Sequence, residues 1–373
     1  MGSSKGRALV TGGAGLIGSH LVDLLVEEGY EVTILDDLET QTHPQGEPEW
    51  LNKNARFIKG DIRDDSALSS ALESIRFVFH LAAFVGFTPE VSKYIDVNTI
   101  GTARLFEKIA AGRYAVEKVV VASSQAVYGE GAYICERHGL QYPQRRSFTQ
   151  LKKKQWEPIC SECGGSLKPN LTSEEKPREG ETAYALSKEF TERLALSCGR
   201  QIGIPVVALR YGVTYGPRQS IFNPYTGVAS IFSTRLLNNL PPLVYEDGRQ
   251  TRDFIYVKDI ARANLFAMEN EKVKFEVFNV GTGVATSVAT LARELASIYG
   301  KKVEPEIPGQ FRWGDVRHII LDSSKLGRLG FRTTIPLKEG LTLFAQWMKS
   351  HGRVGEYFTE AHGNLKRNRI VHG

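Results

Sequence analysis

At 373 residues the chain is long enough for one large α/β domain with an appended lobe, or for two domains. Apolar residues at 42% and charged residues at 24% are ordinary for a globular protein, and a net charge of +5 over this length is too weak to argue for nucleic acid. No apolar run approaches the ~20 residues that span a bilayer, and four cysteines are too few for a disulfide scaffold, so a cytoplasmic location is expected.

In chain order, Arg7–Thr11 reads as a strand and Leu16–Glu28 as an amphipathic helix closed by Gly29. Glu31–Leu35, Arg56–Lys59, Phe77–His80 and Lys118–Ala122 read as further strands, most of them separated by helical stretches. That alternation implies right-handed crossovers and a parallel sheet covered on both faces. Residues 131–178 break the rhythm with Cys135, Cys160, Cys163, prolines and the basic runs Arg145-Arg146 and Lys152–Lys154, and read as an insertion with its own small fold. A helix over Thr182–Arg200 then feeds a strand at Pro205–Arg210. Beyond Tyr211 the pattern loosens, with helices expected near Ser230–Leu240, Val257–Met268, Ser287–Tyr299 and Leu337–Lys349. The expected division is residues 1–211 with 253–283 returning to them, a smaller lobe over 212–349, and a loosely attached polar tail over 350–373.

Gly12-Gly13-Ala14-Gly15-Leu16-Ile17-Gly18 lies between the first strand and the first helix. Glycines there let the backbone approach a pyrophosphate, whose charge the helix N-terminus then holds. Asp36, at the end of the second strand, is spaced to accept the adenosine ribose hydroxyls. With Asp37 beside it, it would repel a 2′-phosphate, so NAD is expected rather than NADP. Strand, glycine turn, helix and acid together predict a Rossmann-type doubly wound sheet with a smaller α/β substrate lobe.

Tyr184 and Lys188 stand four apart at the start of a helix, which puts phenol and ammonium on one face. A free phenol titrates near ~10, and a neighbouring ammonium and a positive nicotinamide ring both favour its ionised form. Tyr184 is therefore the candidate acid/base and Lys188 its assistant. Ser124, at the carboxyl end of a strand, falls in the same crevice and can bridge substrate and phenol.

The motifs TGGAGLIG, HLAA (His80–Ala83), SSQAVYG and YALSK, in this order, resemble the extended short-chain dehydrogenase/reductase family, in its nucleotide-sugar epimerase/dehydratase branch. The similarity runs from about Arg7 to Trp347. It implies that Leu81, Ala82, Ala83, Asp61 and Ile62 flank the cofactor and that Asn98 braces that side. It also implies a nucleotide-diphosphate sugar as substrate, a homodimer built on helices near Pro89–Gly112 and Thr182–Arg200, and a 4-keto intermediate. In dehydratases of the branch an Asp-Glu pair precedes VYG, and decarboxylases carry a glutamate where Ala126 stands; this chain has Gln125-Ala126. The simplest chemistry left is 4-epimerisation, with a 4,6-dehydratase or another 4-keto-forming member as the alternative. His80 is expected to be a packed residue, not an acid/base.

The resemblance extends to the lobe. Arg252, in QTRDFIYV, matches a diphosphate-gripping arginine, while Arg312 and Asp315, in FRWGD, match a phosphate ligand and a nucleoside-ribose contact. Guanidinium forks suit a diphosphate. After Arg210-Tyr211 the branch carries Phe-Asn or a near variant, where this chain has Gly212-Val213, so the sugar must be held differently. Asn223, in NPYTG, is a further substrate candidate. In the insertion, Cys135-x₂-His138 and Cys160-x₂-Cys163-Gly164 form two knuckles separated by twenty-one residues, a pattern suited to structural Zn²⁺. Unligated thiols or a disulfide are the alternatives. The insertion and NPYTG together resemble a subgroup of the branch that includes dTDP-L-rhamnose 4-epimerases.

Overall fold

A computed structural model describes residues 4–86, 90–112, 114–223, 227–352 and 354–373. Nine strands and helices lead in from the N-terminus: β1 (Arg7–Thr11), α1 (Leu16–Glu27), β2 (Glu31–Asp36), β3 (Arg56–Lys59), α2 (Asp65–Ala71), β4 (Phe77–His80), α3 (Val91–Tyr94), α4 (Gly101–Ala110) and β5 (Lys118–Ser124). The insertion follows as β6 (Ala132–Cys135), β7 (Gly139–Gln141), α5 (Phe148–Lys152) and β8 (Lys168–Thr172). Next come α6 (Ala183–Ile202), β9 (Val206–Tyr211), β10 (Val213–Tyr215), α7 (Val228–Leu237), β11 (Thr251–Tyr256), α8 (Val257–Glu269) and β12 (Glu276–Val280). The chain closes with β13 (Ala285–Ser287), α9 (Val288–Ile298), β14 (Phe311–Arg312), β15 (His318–Leu321), α10 (Ser324–Arg328), α11 (Leu337–Ser350), α12 (Phe358–Arg367) and β16 (Val371–His372).

One sheet runs β12-β9-β5-β4-β1-β2-β3, every pair parallel. Its central strands are continuous apolar runs such as Val119-Val120-Val121, as a sheet buried on both faces requires. One apolar cluster joins Leu21 and Leu25 of α1 to Ile260 and Met268 of α8, and a second joins Leu105 and Ile109 of α4 to Leu196 of α6. Strand order reverses beside β1, so the carboxyl ends of β1, β4 and β5 open into one crevice. Within 253–283, β12 pairs with β9 of this sheet and α8 packs on α1, whereas residues 253–256 lie in β11 of the other sheet.

A second sheet has the order β10-β11-β15-β8-β6-β7, with β13 pairing β11. The insertion belongs to it: β8 lies parallel to β15, with Leu171 opposite Ile320. This differs from the self-contained insertion expected from sequence, and the reason is core size. Only Tyr133, Cys135, Cys160, Leu167 and the partly buried Cys163 form its apolar cluster, too little to stand alone. The C-terminal segment also departs from the loose tail expected. Phe358, Ala361 and Leu365 repeat on one buried face of α12, and Val371 of β16 pairs with Arg312 of β14. The polar composition of these last residues concealed that apolar stripe.

Candidate functional site

A cavity of about 310 Å³ lies at the carboxyl ends of β1, β2, β4 and β5. Gly12, Gly15, Leu16, Ile17 and Gly18 line one part of it, Asp36, Asp37, Asp61 and Ile62 another, and Leu81, Ala82, Ala83, Tyr184, Lys188 and Asn223 are among the remaining lining residues. The glycines do three different jobs. Gly12 holds a left-handed φ of +71°, and a Cβ there would fall 2.7 Å from the Ala82 nitrogen. At Gly18 a Cβ would collide with the Gly12 carbonyl, so α1 can approach β1 only with glycine there. Gly15 is different: its Cβ would meet only the Gly12 oxygen, at 3.5 Å, so the space beyond it is open. No side chain caps α1 and its first turn carries no acid, which leaves its N-terminal amides for an anion.

Asp36 accepts from the Ala14 amide and from the Leu38 amide, both at 2.9 Å, which fixes the carboxylate while leaving lone pairs for ribose hydroxyls. Burial, then the neighbouring Asp36 and Asp61, push the Asp37 carboxyl up from its ordinary range. That crowding of negative charge opposes a further phosphate. Arg63 grips Asp61 through Nε at 2.9 Å and Nη2 at 2.6 Å, pulling its pKa down. Two polar groups on the wall, Gln219 Oε1 and Ser220 Oγ, are buried without a hydrogen-bond partner among the described residues. Such orphans fit a polar ligand.

Thr182 starts α6, its hydroxyl accepting from the Ala185 amide at 3.1 Å, and this cap aims Tyr184 and Lys188 into the cavity. Lys188 donates to the Ala122 carbonyl at 2.7 Å, and burial lowers its pKa to about 8. The Tyr184 phenol stands above its ordinary value, chiefly through burial, and the neighbouring Ser124 hydroxyl pulls it the other way. Ser124 is therefore brought to the phenol, although the cavity wall itself is Ser123.

Asn98 is 1% exposed and does not line the cavity. It donates to the Phe84 carbonyl at 3.0 Å and to Ser187 Oγ at 2.8 Å, and accepts from the Phe84 amide at 2.7 Å. It ties the chain after β4 to the Tyr184 helix, as a brace does. A π-helical turn over Ile95–Ile100 aims it there, a feature the periodicity did not signal. His80 lies between Thr11 Oγ1 and Thr102 Oγ1, both at 2.9 Å, and burial pushes it down to about 3, so it is a neutral packed ring.

Arg252, Arg312 and Asp315 come together on the other lobe, away from the cavity wall. Arg252 donates to the carbonyls of Thr251, Arg317 and Val316, at 2.9, 3.2 and 2.6 Å. A guanidinium resting on carbonyls keeps its charge for an anion. Arg312 Nε donates to Asp315 at 2.9 Å, so that carboxylate already has one strong partner. Pro224–Thr226 of the NPYTG stretch lie outside the described residues, as does Pro89; Asn223 is 4% exposed and lines the cavity.

The four knuckle residues converge, with every ligand atom of Cys135, His138, Cys160 and Cys163 within 4.8 Å of the others. Cys135 Sγ is 3.8 Å from Cys163 Sγ, and His138 Nδ1 is 3.4 Å from Cys160 Sγ. Tetrahedral zinc with bonds of about 2.3 Å to sulfur asks for sulfur separations near 3.8 Å, so the donor set fits that metal. All four corners are taken by protein.

Residues 8–152 and 160–281 match the model of the NAD dependent epimerase/dehydratase family. The chain belongs to that family. It is 33% identical over 349 residues to a dTDP-L-rhamnose 4-epimerase of Burkholderia thailandensis, covering 92% of this chain and 94% of the relative. A putative UDP-glucose 4-epimerase of Methanocaldococcus jannaschii is 36% identical, over 92% of this chain and 99% of the relative. The solved structure of a UDP-glucuronic acid 4-epimerase from Bacillus cereus, in complex with UDP-glucuronic acid and NAD, matches with a TM-score of 0.76. It is 27% identical, and the match covers 92% of this chain and 99% of that one. Among the described residues no helix is long and apolar enough to cross a membrane.

Sequence reasoning missed a buried ion-pair network between insertion and lobe. Arg317 is fully buried among Glu157, Glu246 and Asp247, and Arg146 pairs with Glu246 at 2.8 and 2.9 Å. These partners lie up to 160 residues apart, so no local spacing could have announced them.

Proposed function

We propose that the protein interconverts C4 epimers of a nucleotide-diphosphate sugar through a transient 4-keto intermediate, regenerating its NAD in each cycle. The observation that carries this reading is Tyr184 and Lys188 on one cavity wall, with Ser124 beside the phenol and uncharged Gln125 and Ala126 where elimination or decarboxylation calls for carboxylates. Tyr184 takes the proton from the sugar 4-hydroxyl as the C4–H bond breaks, and gives it back after the keto sugar has turned over its other face. Bound NAD supplies the hydride acceptor and donor. Ser124 bridges the reacting oxygen and the phenol, and the Lys188 ammonium favours phenolate. Arg252 and Arg312 neutralise the diphosphate, Asp315 takes the nucleoside ribose, and Asn223 reaches the sugar side. The glycine turn, Asp36, Asp37, Asp61, Ile62 and Leu81–Ala83 hold NAD, with Asn98 behind them.

In the same reading Cys135, His138, Cys160 and Cys163 hold a structural Zn²⁺, supported by their spacing and by the lack of any other core in the insertion. Metal analysis tests this: about one equivalent is expected, and active protein with less than about half of one removes the assignment. Reduced thiols of this kind suit the cytoplasm. A homodimer on α3, α4 and α6 is supported by exposed Val91, Ile100, Leu186 and Phe190, at 61, 43, 39 and 48%. The catalytic reading is tested by proton NMR of UDP-, dTDP-, GDP- and CDP-sugars incubated with the enzyme. A new anomeric signal from one of them is expected; a stable 4-keto-6-deoxy product, or no change across the panel, would overturn the assignment.

A further inference from the structure

The two knuckle pairs bracket the segment 139–159, and several of its residues meet the stretch 311–318 that carries Arg312 and Asp315. Arg146, 3% exposed, forks onto Glu246 and donates a further hydrogen bond to the Asp315 carbonyl at 2.9 Å. Glu157 accepts from Arg317 Nε at 3.0 Å and from His318 Nε2 at 3.0 Å. Phe148 of α5 packs edge-on against Phe311 of β14, ring centres 5.7 Å apart, and Trp156 lies 6.1 Å from the same ring. On the opposite flank Arg252 holds the Val316 and Arg317 carbonyls. The loop 312–317 is thus gripped from two sides, once by the lobe itself and once by the insertion.

At the base of that segment stand His138 and Cys160, neighbours in the knuckle at 3.4 Å. A ligand bridging them closes a loop of twenty-one residues, which lowers the conformational entropy the segment loses when it docks. None of the four knuckle residues lines the cavity. A metal held there would be well placed to act on the diphosphate end of the site and poorly placed to act on NAD or the phenol.

We propose that the 139–159 segment is a brace for the substrate loop, with Arg146 and Glu157 as positioning residues and the Cys₃His knuckle as its clasp, so that both set affinity for the nucleotide diphosphate and leave NAD binding and the chemical step unchanged. This rests on the nucleotide-sugar reading above. Arg146 is not a catalytic residue; it acts on Arg312 and Asp315 through the backbone between them.

The test is calorimetric titration of NAD-loaded protein with UDP and with dTDP, alongside NAD content and, once a sugar has been found, KM and kcat. Arg146→Met is expected to weaken nucleotide binding about 10-fold and raise KM alike, with NAD content and kcat within about 2-fold of wild type, and Arg146→Lys to recover part of the loss. Because Arg146 is buried, Glu157→Gln at the half-exposed partner provides a variant that spares the core, with a smaller loss in the same direction. Chelator-treated protein should show the Arg146→Met pattern and recover on adding Zn²⁺. Unchanged affinity in Arg146→Met and Glu157→Gln would overturn the brace, as would parallel losses of kcat and NAD. Unchanged affinity after metal removal would overturn the clasp. Wild-type protein that binds neither nucleotide would instead remove the substrate reading on which the brace rests.

Discussion

In the proposed function the cofactor crevice and the insertion–lobe interface both receive phosphate, by opposite means. In the crevice the work is done by backbone: glycines at 12, 15 and 18, and a helix N-terminus without a cap. At the interface it is done by guanidinium groups held by partners far away in the chain, such as Arg146 on Glu246 and Arg252 on Val316. A backbone-built site is written in a few consecutive residues, with Gly12 and Gly18 packed too closely against backbone to accept a Cβ. A site built from side chains exists only once several segments have docked, and its geometry is as secure as its buried ion pairs.

The two regions should answer differently to substitution, and the largest effect is expected at the phenol between them. Tyr184→Phe should lower kcat by about 10³-fold while NAD stays bound, because only the proton carrier is lost; a loss under about 10-fold would move the acid/base role elsewhere. Gly15→Val comes next. Its side chain enters open space, so the fold should persist, and NAD affinity should fall by about 100-fold as the pyrophosphate is displaced. Gly18→Ala, aimed at the Gly12 carbonyl, should unfold or loosen the protein instead, and circular dichroism with NAD content separates the two outcomes.

Lys188 gives a third effect, on stability. Its pKa falls from 10.5 to about 8 on burial, so below pH 8 the folded state carries the cost of a buried charge in full. As pH rises from 8 toward 10.5 the folded protein releases that proton while the unfolded chain keeps it, and stability rises by about 3 kcal/mol. In NAD-free protein Lys188→Met should therefore be more stable than wild type at pH 7, with a gap that closes as pH climbs; urea melts showing a constant gap would contradict this. The smallest effect is expected at Asp36→Asn, where the preference for NAD over NADP should shrink by roughly 10-fold, or about 1.4 kcal/mol. Competition binding with the two dinucleotides measures it.

Legibility followed the same divide. The turn, Asp36, the Tyr184 helix and the parallel order of β1 to β5 were readable because each is a local pattern with one physical meaning. Asn98 was readable only through family resemblance, since a π-helical turn, not the 3.6-residue period, brings it to Phe84 and Ser187. The knuckle spacing was readable, but the destination of the insertion was not: β8 beside β15 joins residues about 150 positions apart. The C-terminal segment misled because charged residues outnumber its Phe358, Ala361 and Leu365, which nonetheless face the core.

The most direct test of the central claim is a sugar nucleotide labelled with deuterium at C4, turned over in ordinary water and read by NMR and mass spectrometry. Removal and return of the same hydrogen within one site predicts an inverted C4 that keeps its deuterium, with no solvent hydrogen at C4 or C6 and no net absorbance growth at 340 nm. Deuterium lost to water, or solvent hydrogen at C6, would contradict the account.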